Sequence, residues 1–282
     1  MTITYQSLTE LAQKIKNKTK RENALQLLEN MQMEIPGIGD TPVRWKPSFI
    51  KVVQGTTDTS KFTDKVASGD IVWGDSLKGA LTQVIPLTSF QGRQMWDPDP
   101  NNVILLCSSP DAKVGFKYGE CKKCAFSKFD EAAKKSACSL NYTFYVLSPD
   151  FKDVGQVSFS KTSYSNGAAW VKLLRQGGGY PYRNMFNLKS KKSTQYKNVN
   201  LLEAEGIAGK IPYEEGEQEF VHDLYMFFYN SREEFLKTWD EDHRTPQALT
   251  NQAPAVPQIA SSSILEADTS DTVSSEATKY EM

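Results

Sequence analysis

The sequence has no long hydrophobic run. No segment approaches the roughly 18 to 20 apolar residues that a helix needs to cross a bilayer. The polar, helix-patterned start of the chain, residues 1–22, also lacks the apolar core of a secretory signal peptide. These absences predict a cytoplasmic protein with no membrane partner. In that compartment, cysteines are more often metal ligands or free thiols than disulfides.

Catalytic signatures are also scarce. The chain has 2 histidines, and neither His222 nor His243 has an evident nucleophile nearby in sequence. The patterns G-x-x-x-x-G-K-[ST], G-x-S-x-G and H-E-x-x-H are all missing. The glycine run 177–179 follows a helix candidate instead of opening one, so it does not predict a phosphate site. We therefore expect a non-enzymatic protein.

Charge is present in both signs but is strongly segregated. The formal net charge is −1, yet residues 107–197 alone carry a balance of +10. Residues 198–246 balance at −8, and residues 247–282 at −4. A local basic surface matters more for nucleic-acid contact than the total charge does. The basic block therefore predicts contact with a polyanion.

Four cysteines form the most informative motif. Their spacing is Cys107-x13-Cys121-x2-Cys124-x13-Cys138. Two residues between the central thiolates let both sulfurs reach one ion across a tight turn, at about 2.3 Å from a zinc. The pattern predicts a closed structural site of four cysteine ligands, with zinc favoured. An iron–sulfur cluster is the alternative cofactor, and buried reduced pairs or disulfides remain the alternatives without metal.

The pattern of apolar residues predicts a mixed α+β, β-rich fold in three parts. Residues 1–40 form an N-terminal segment with one helix over 7–31, and residues 245–282 a disordered acidic tail. Between them, 41–244 form a β-rich core with a metal knuckle at 107–138 and a short final helix starting near Ser231. Strands are expected at 71–73, 81–87, 103–107, 142–147, 155–160, 183–189 and 219–229, and a helix at 166–176.

The segments around the cysteines resemble a family of phage and plasmid proteins. The runs LLCSSPD (105–111), GECKKCAF (119–126) and KKSAC (134–138) correspond to that family's C-S-x-D-G, C-x-x-C-P and K-x-C motifs. A segment similar to its x-S-x-x-x-W follows at 161–170, and the resemblance covers about residues 69–230. Ala125 stands where the family has proline. The resemblance implies a replication-associated, single-stranded-DNA-binding-like protein with a β-barrel core, here an OB-like barrel.

Single-strand binders combine basic groups that track phosphates with aromatic rings on which bases stack. The basic block interleaves both kinds of residue before, within and after the cysteine pair. The competing interpretation is that the rings pack in the core or over the metal and that the lysines are merely solvated. The residues predicted to bind nucleic acid are Lys113, Lys117, Tyr118, Lys122, Lys123, Lys128, Lys134, Lys135, Tyr182, Arg183, Lys189, Lys191, Lys192, Tyr196 and Lys197.

Together with these patterns, the resemblance implies a single-stranded-DNA-binding protein of phage or plasmid replication or recombination, located in the host cytoplasm. Its acidic tail resembles those that recruit replication or transcription proteins and compete with DNA for the basic groove. Two alternatives stay open. One is a zinc-stabilised protein–protein adaptor acting on replication or transcription machinery, and the other is a four-cysteine iron–sulfur nuclease.

Overall fold

The computed structural model of the chain describes residues 3–32, 45–97, 105–109, 111–131 and 136–242, with side chains for all of these except 207–209 and 232–242. The predicted tail, His243 and the pair Lys134 and Lys135 lie outside the described residues. In the described part of the chain, no helix is long and apolar enough to cross a membrane.

The fold is mixed α+β and rich in β-structure, as predicted. One nine-stranded sheet has the order β11-β10-β4-β8-β9-β1-β2-β3, with β5 paired to β4 outside this path, and β6 and β7 form a separate ribbon. All pairs in the sheet are antiparallel except β1 with β9. The strands are β1 (Ser48–Val52), β2 (Ile71–Trp73), β3 (Ser76–Gly79), β4 (Leu81–Trp96), β5 (Leu105–Ser109), β6 (Val114–Gly115), β7 (Gly119–Glu120), β8 (Cys138–Leu147), β9 (Val154–Ser160), β10 (Asn184–Lys192) and β11 (Asn200–Lys210).

The central strand β8 is buried on both faces because its alternate side chains enter two different cores. Tyr145 and Leu147 belong to an outer core that helices cover. Phe144 and Val146 belong to an inner core. The sheet is therefore a layer between two hydrophobic clusters, and its strand alternation decides which residues enter each.

The inner core shows that the sheet curls. It contains Ile50 and Trp73 from one end of the strand order and Leu188 and Leu202 from the other. Residues from both ends can share one cluster only if the sheet bends around it, as a half barrel does. Helix α3 (Tyr164–Gln176) fills the concave side with Trp170, whose ring stacks on Phe144 at 4.2 Å between centroids. This coarse architecture is compatible with the expected barrel-like core.

The N-terminal segment contains two helices instead of the single predicted one. Helix α1 (Tyr5–Gln13) starts at Thr4, which forms a capping box with Ser7, and helix α2 spans Lys18–Gln32. Asn17 separates them because its side-chain oxygen accepts a hydrogen bond from Lys20 N and caps α2. Both helices bury their apolar faces in the outer core, so they belong to the same folded unit as the sheet.

The strand predicted at 219–229 is wrong, since this segment begins the long helix α4 (Glu217–Asp242), which also replaces the short helix predicted from Ser231. The aromatic and β-branched content favoured a strand, but Val221, Leu224 and Phe228 have helical spacing and are buried in the outer core. At the helix start, the fully buried Glu217 accepts a hydrogen bond from Lys20 Nζ at 2.9 Å, which ties α4 to α2.

Candidate nucleic-acid interface and cysteine cluster

The half barrel leaves an open seam between β1 and β11, and a groove runs along it. One wall is formed by β1, the end of β9 and the turn at 161–163, and the other by the β10–β11 hairpin. The groove encloses about 1030 Å³. We call it the seam groove. On one side β11 is an edge strand that pairs with β10 but not with β1, and on the other side β1 has its own neighbours, β9 and β2.

One side chain bridges the seam in place of strand pairing. The Gln54 amide donates from Nε2 to the backbone oxygen of Asn200 at 2.8 Å, and its Oε1 accepts from the backbone nitrogen of Asn200 at 2.9 Å. The Asn200 side chain in turn donates to Ser68 Oγ at 3.0 Å. These bonds satisfy the first residue of β11 and fix the spacing of the two walls.

The seam groove is strongly basic. Four lysines line it, and among the residues that the structure describes no aspartate or glutamate does so. Lys161 has a positive φ of 49°, so the chain turns sharply where β9 ends and places this lysine at the groove wall. The four lysines are Lys51, Lys161, Lys192 and Lys197.

An exposed aromatic ring lies beside these lysines. Tyr196, next to Lys197 in the β10–β11 connection, is 39% exposed. A base can stack only on a ring that solvent reaches, and Tyr196 meets that condition. Phe49 on β1 is 45% exposed, but it alternates with the groove-lining Ile50 and so lies on the other face of the strand. Of the residues predicted from sequence, Lys192 and Lys197 line the groove.

Two other predicted lysines of the hairpin are charge-paired. Lys189 forms an ion pair with Glu205, and Lys191 pairs with Glu203 at 3.5 Å. The glutamates belong to the acidic segment that follows the basic block in sequence. The antiparallel pairing of β10 with β11 therefore cancels part of the +10 balance locally.

Tyr182, which the sequence predicts to bind nucleic acid, is only 2% exposed, so its ring is covered in this structure. Its hydroxyl hydrogen-bonds to His222 Nδ1 at 2.9 Å, which gives that histidine a structural partner. The exposed ring here is Tyr180, which stacks on Tyr182 at 5.4 Å and lies beneath the guanidinium of Arg183 at 5.7 Å.

The outer two cysteines lie on strands that flank β4. Met95 on β4 is the register partner of Cys107 on β5 and of Cys138 on β8. The two cysteines are therefore level with one another across the sheet. The spacing of thirteen residues on each side of the central pair does not by itself predict that the outer cysteines are level on the sheet.

The central pair lies on a tight turn after β7. Cys124 N donates to the backbone oxygens of Glu120 and Cys121, at 3.1 and 3.3 Å. Ser127 Oγ donates to the backbone oxygens of Cys121 and Cys124. This local network holds the two central thiols on the same side of the turn, as the two-residue spacing predicts.

All four cysteines line one small cavity of about 10 Å³. They are free thiols. Gly115 makes room for them, since a Cβ at this position would lie 2.9 Å from Cys107 Sγ. Among the described residues, no three His, Cys, Asp or Glu side chains have the arrangement of a metal site as they stand. The four thiols share one cavity.

The surroundings of the cavity are apolar and hydrogen-bonded. Burial raises the pKa of the Cys138 thiol to about 11. Arg93 on β4 donates from Nη1 to the backbone oxygens of Ser127 and Cys138, at 3.4 and 3.3 Å, and so links the turn to the sheet. Tyr118 covers the cavity and packs on Phe126 at 5.1 Å. Burial also raises the pKa of the Tyr118 hydroxyl.

The predicted lysines of this segment are distributed over its exposed surface and do not form one groove. Lys117 lies over the Tyr118 ring at 5.7 Å, and Lys123 pairs with Glu120 at 2.9 Å. Lys113, Lys122 and Lys128 are exposed. The structure therefore divides the predicted nucleic-acid residues into a cysteine-side group and a seam-groove group.

Sequence reasoning missed Lys51 and Lys161. Each lies outside the predicted set because no local cluster marks it. Only alternation was available as a signal: Lys51 follows the buried Ile50 on β1 and must point away from the inner core. Comparisons with protein-family models, with curated proteins and with solved structures found no match for this chain.

Proposed function

We propose that this chain is a non-enzymatic protein that binds single-stranded nucleic acid along the seam groove. The observation that carries the proposal is that four lysines line the groove, with no acid beside them in the described part of the chain. Single-strand binders use such a basic groove to follow the phosphates, with exposed rings as stacking platforms. Tyr196, the chain neighbour of Lys197, supplies an exposed ring of that kind.

The groove also suits a single strand in its polar character. Besides the lysines, its lining includes serines and threonines of the β9 end and the following turn, such as Ser160, Thr162 and Ser163. Hydroxyl groups donate to phosphate oxygens without adding charge, and such contacts position the strand. The resemblance to phage and plasmid proteins points to replication or recombination as the setting.

Binding should be tested by fluorescence anisotropy with single-stranded DNA, duplex DNA and RNA over a range of salt concentrations. Three phosphate contacts, from Lys161, Lys192 and Lys197, predict a slope of log K against log salt of about −2, since each contact on a single strand contributes about −0.7. The triple variant Lys161→Ala, Lys192→Ala and Lys197→Ala should weaken binding about 100-fold at 0.1 M salt, from the same slope.

The matched control removes three exposed lysines from the helical side, with the substitutions Lys14→Ala, Lys18→Ala and Lys152→Ala. It changes the net charge equally, so it should leave most of the affinity intact if the groove is the site. Equal losses in both triple variants would mean that total charge, and not the groove, attracts the strand. Affinity that does not vary with salt would refute the proposal.

We further propose that Cys107, Cys121, Cys124 and Cys138 hold one structural metal ion, with zinc favoured over an iron–sulfur cluster. The support is that all four thiols line a single cavity that Gly115 keeps open. Four thiolates are a closed donor set that suits zinc. Elemental analysis and the absorption spectrum of the purified protein distinguish one zinc, iron with sulfide, and no metal.

The second candidate function, a protein–protein adaptor, is favoured by exposed apolar side chains on the segment that contains the cysteines. Val114, Phe116 and Phe129 are all more than two-fifths exposed. Exposed apolar groups of this size are typical of contact surfaces. If the seam-groove variants bind nucleic acid as the wild type does, the adaptor becomes the better explanation.

A further inference from the structure

The two walls of the seam groove change character in the same direction along the concave face of the sheet. On one wall, the buried Phe159 of β9 is followed by Lys161 in the next turn, and both line the groove. On the other wall, Leu188 in the inner core and Lys192 at the groove lie on the same face of β10, because side chains alternate along a strand. An apolar interior therefore passes into a lysine-lined mouth on both sides.

The apolar end of the groove is formed by three aliphatic side chains from both walls. Val52 on β1 is half-buried, packs against the inner core and lines the groove. Ile50, on the same face of β1, and Leu202 on β11 belong to that core and also line the groove. We call Ile50, Val52 and Leu202 the groove floor. A ligand that enters between the lysines meets this floor.

The edge of β11 beside the floor is already hydrogen-bonded. The backbone nitrogen and oxygen of Asn200 are bonded to the Gln54 side chain, and the backbone oxygen of Leu202 accepts from Asn166 Nδ2 at 2.9 Å. A peptide that extends a sheet needs such groups for its own main-chain hydrogen bonds. The groove therefore favours a ligand that side chains recognise over a peptide strand that pairs with β11.

A nucleotide matches the two-part character of the groove. Its base has flat faces of low polarity, and its phosphate is an anion that lysine binds. The groove encloses about 1030 Å³, and sites for small molecules enclose about 300 to 1,000 Å³, so a base fits together with its sugar. Bases that are paired within a duplex are not free to turn into such a site.

We propose that the strand enters the seam groove base first. At least one unpaired base lies against the groove floor, and the flanking phosphates contact Lys161, Lys192 and Lys197 at the mouth. The inference rests on the proposed function and deepens it, since it makes the unpaired base, and not only the phosphate chain, part of what the groove selects. The alternative mode is phosphate binding at the mouth with the bases in solvent or stacked on Tyr196.

The test compares two single strands of equal length and charge, one of thymidines and one of abasic tetrahydrofuran residues. The wild type should bind the thymidine strand roughly 5- to 100-fold more tightly, on the scale of one base contact. The slopes of log K against log salt should agree for the two strands, because their phosphates are the same. Fluorescence anisotropy over a range of salt concentrations measures both quantities.

Val52→Asn makes the groove floor polar without altering a lysine. It should remove most of the preference for the thymidine strand and leave the affinity for the abasic strand unchanged. The matched control is Val171→Asn, the same change at a half-buried valine that packs against the same core but is not among the described residues that line the groove. It should keep the preference.

Thermal unfolding shows whether each variant remains folded. Val52→Thr, which has the shape of valine, repeats the readout if Val52→Asn does not fold. Tyr196→Ala provides a readout outside the floor, and it should retain most of the preference for the thymidine strand.

The outcomes separate base insertion from the proposed function. Equal binding of both strands with a steep salt dependence would refute insertion and leave the groove as a phosphate site. A folded Val52 variant that keeps the preference would refute insertion as well, and its loss in Tyr196→Ala would then assign the base contact to that ring. If the wild type binds neither strand, the proposed function fails, and this inference fails with it.

Discussion

The seam groove and the cysteine segment, residues 107–138, contain the same kind of residues in very different settings. In the groove, segments far apart in sequence bring four lysines together, and none of the described lining residues is an acid. In the cysteine segment, local turns place the lysines on separate exposed surfaces, and Lys123 is paired with Glu120. The comparison teaches that lysine content alone does not make a polyanion site. The scaffold must also prevent neutralisation by neighbouring acids.

The largest expected effect comes from removing a proposed metal ligand. Cys138→Ser should abolish metal binding and lower the free energy of unfolding by more than about 4 kcal/mol, as loss of a structural metal does. The strands that line the groove carry no cysteine, so the slope of strand affinity against salt should not change at a temperature where the variant is folded. Elemental analysis, denaturant unfolding and anisotropy measure the three quantities.

The control for this variant is Ser139→Ala, which alters the next residue and removes only a weak bond from Ser139 Oγ to Gln94 O at 3.4 Å. It should retain the metal and nearly all of the stability. A Cys138→Ser protein as stable as the wild type would contradict the metal proposal. A changed salt slope in a folded variant would instead show that the two regions are coupled.

Arg93→Gln should have the next largest effect, and only on the cysteine side. It removes the hydrogen bonds from Nη1 to the backbone oxygens of Ser127 and Cys138. Loss of a residue that supports metal ligands typically weakens metal binding 10- to 100-fold. Competition with a chromophoric chelator measures this change. Unaltered metal affinity would show that the cysteine turn is held in place without Arg93.

Gln54→Ala tests the seam itself. It removes both hydrogen bonds to Asn200 and leaves the buried backbone nitrogen of that residue unsatisfied. We expect a loss of about 1 to 3 kcal/mol in the free energy of unfolding. Strand affinity should fall as well, because the walls of the groove are no longer held at one spacing.

Gln6→Ala is the control, since Gln6 bonds only to Glu10 on the exposed face of α1. Gln54→Ala should have a lower free energy of unfolding and a lower strand affinity than Gln6→Ala. Denaturant unfolding and anisotropy measure these two quantities. If Gln54→Ala matches Gln6→Ala in both measurements, the amide bridge does not determine the geometry of the groove.

The smallest expected effect comes from single lysine substitutions within the β10–β11 hairpin, where a groove lysine can be compared with an ion-paired one. Lys192→Ala removes a lysine that lines the groove, and Lys189→Ala removes one paired with Glu205. The first should reduce strand affinity about fivefold at 0.1 M salt and the salt slope by about 0.7. The second should change affinity less than twofold, and stability by no more than about 1 kcal/mol, because exposed ion pairs contribute little.

Much of the fold was predictable where alternation or helical spacing was unambiguous. The strands at 71–73, 142–147 and 155–160 and the helix at 166–176 lie within or largely coincide with observed elements. The segment 219–229 misled prediction because its phenylalanines, tyrosines and valine favour a strand, while tertiary packing selects the helix. Asn17 shows the same limit at a helix start. Periodicity alone predicts one helix over 7–31, but the hydrogen bond to the Asn17 side chain caps a second helix there.

The candidate site was predictable only in part for a related reason. Clustered residues such as Lys192, Tyr196 and Lys197 could be found because composition marks them. Lys51 and Lys161 could not be found in this way, because they join the groove only through the curl of the sheet. The same curl places residue 54 against residue 200. Tyr182 looked suitable for stacking, yet burial against His222 is a tertiary property that no local pattern contains.

The contact between Lys20 and Glu217 has a consequence for how the chain is made. The two residues are 197 positions apart, and α1 and α2 bury their apolar faces in a core that α4 completes. A ribosome adds about 5 to 20 residues each second, so the first helices wait roughly 10 to 40 seconds for the last one to emerge. During synthesis, their apolar faces are available to chaperones.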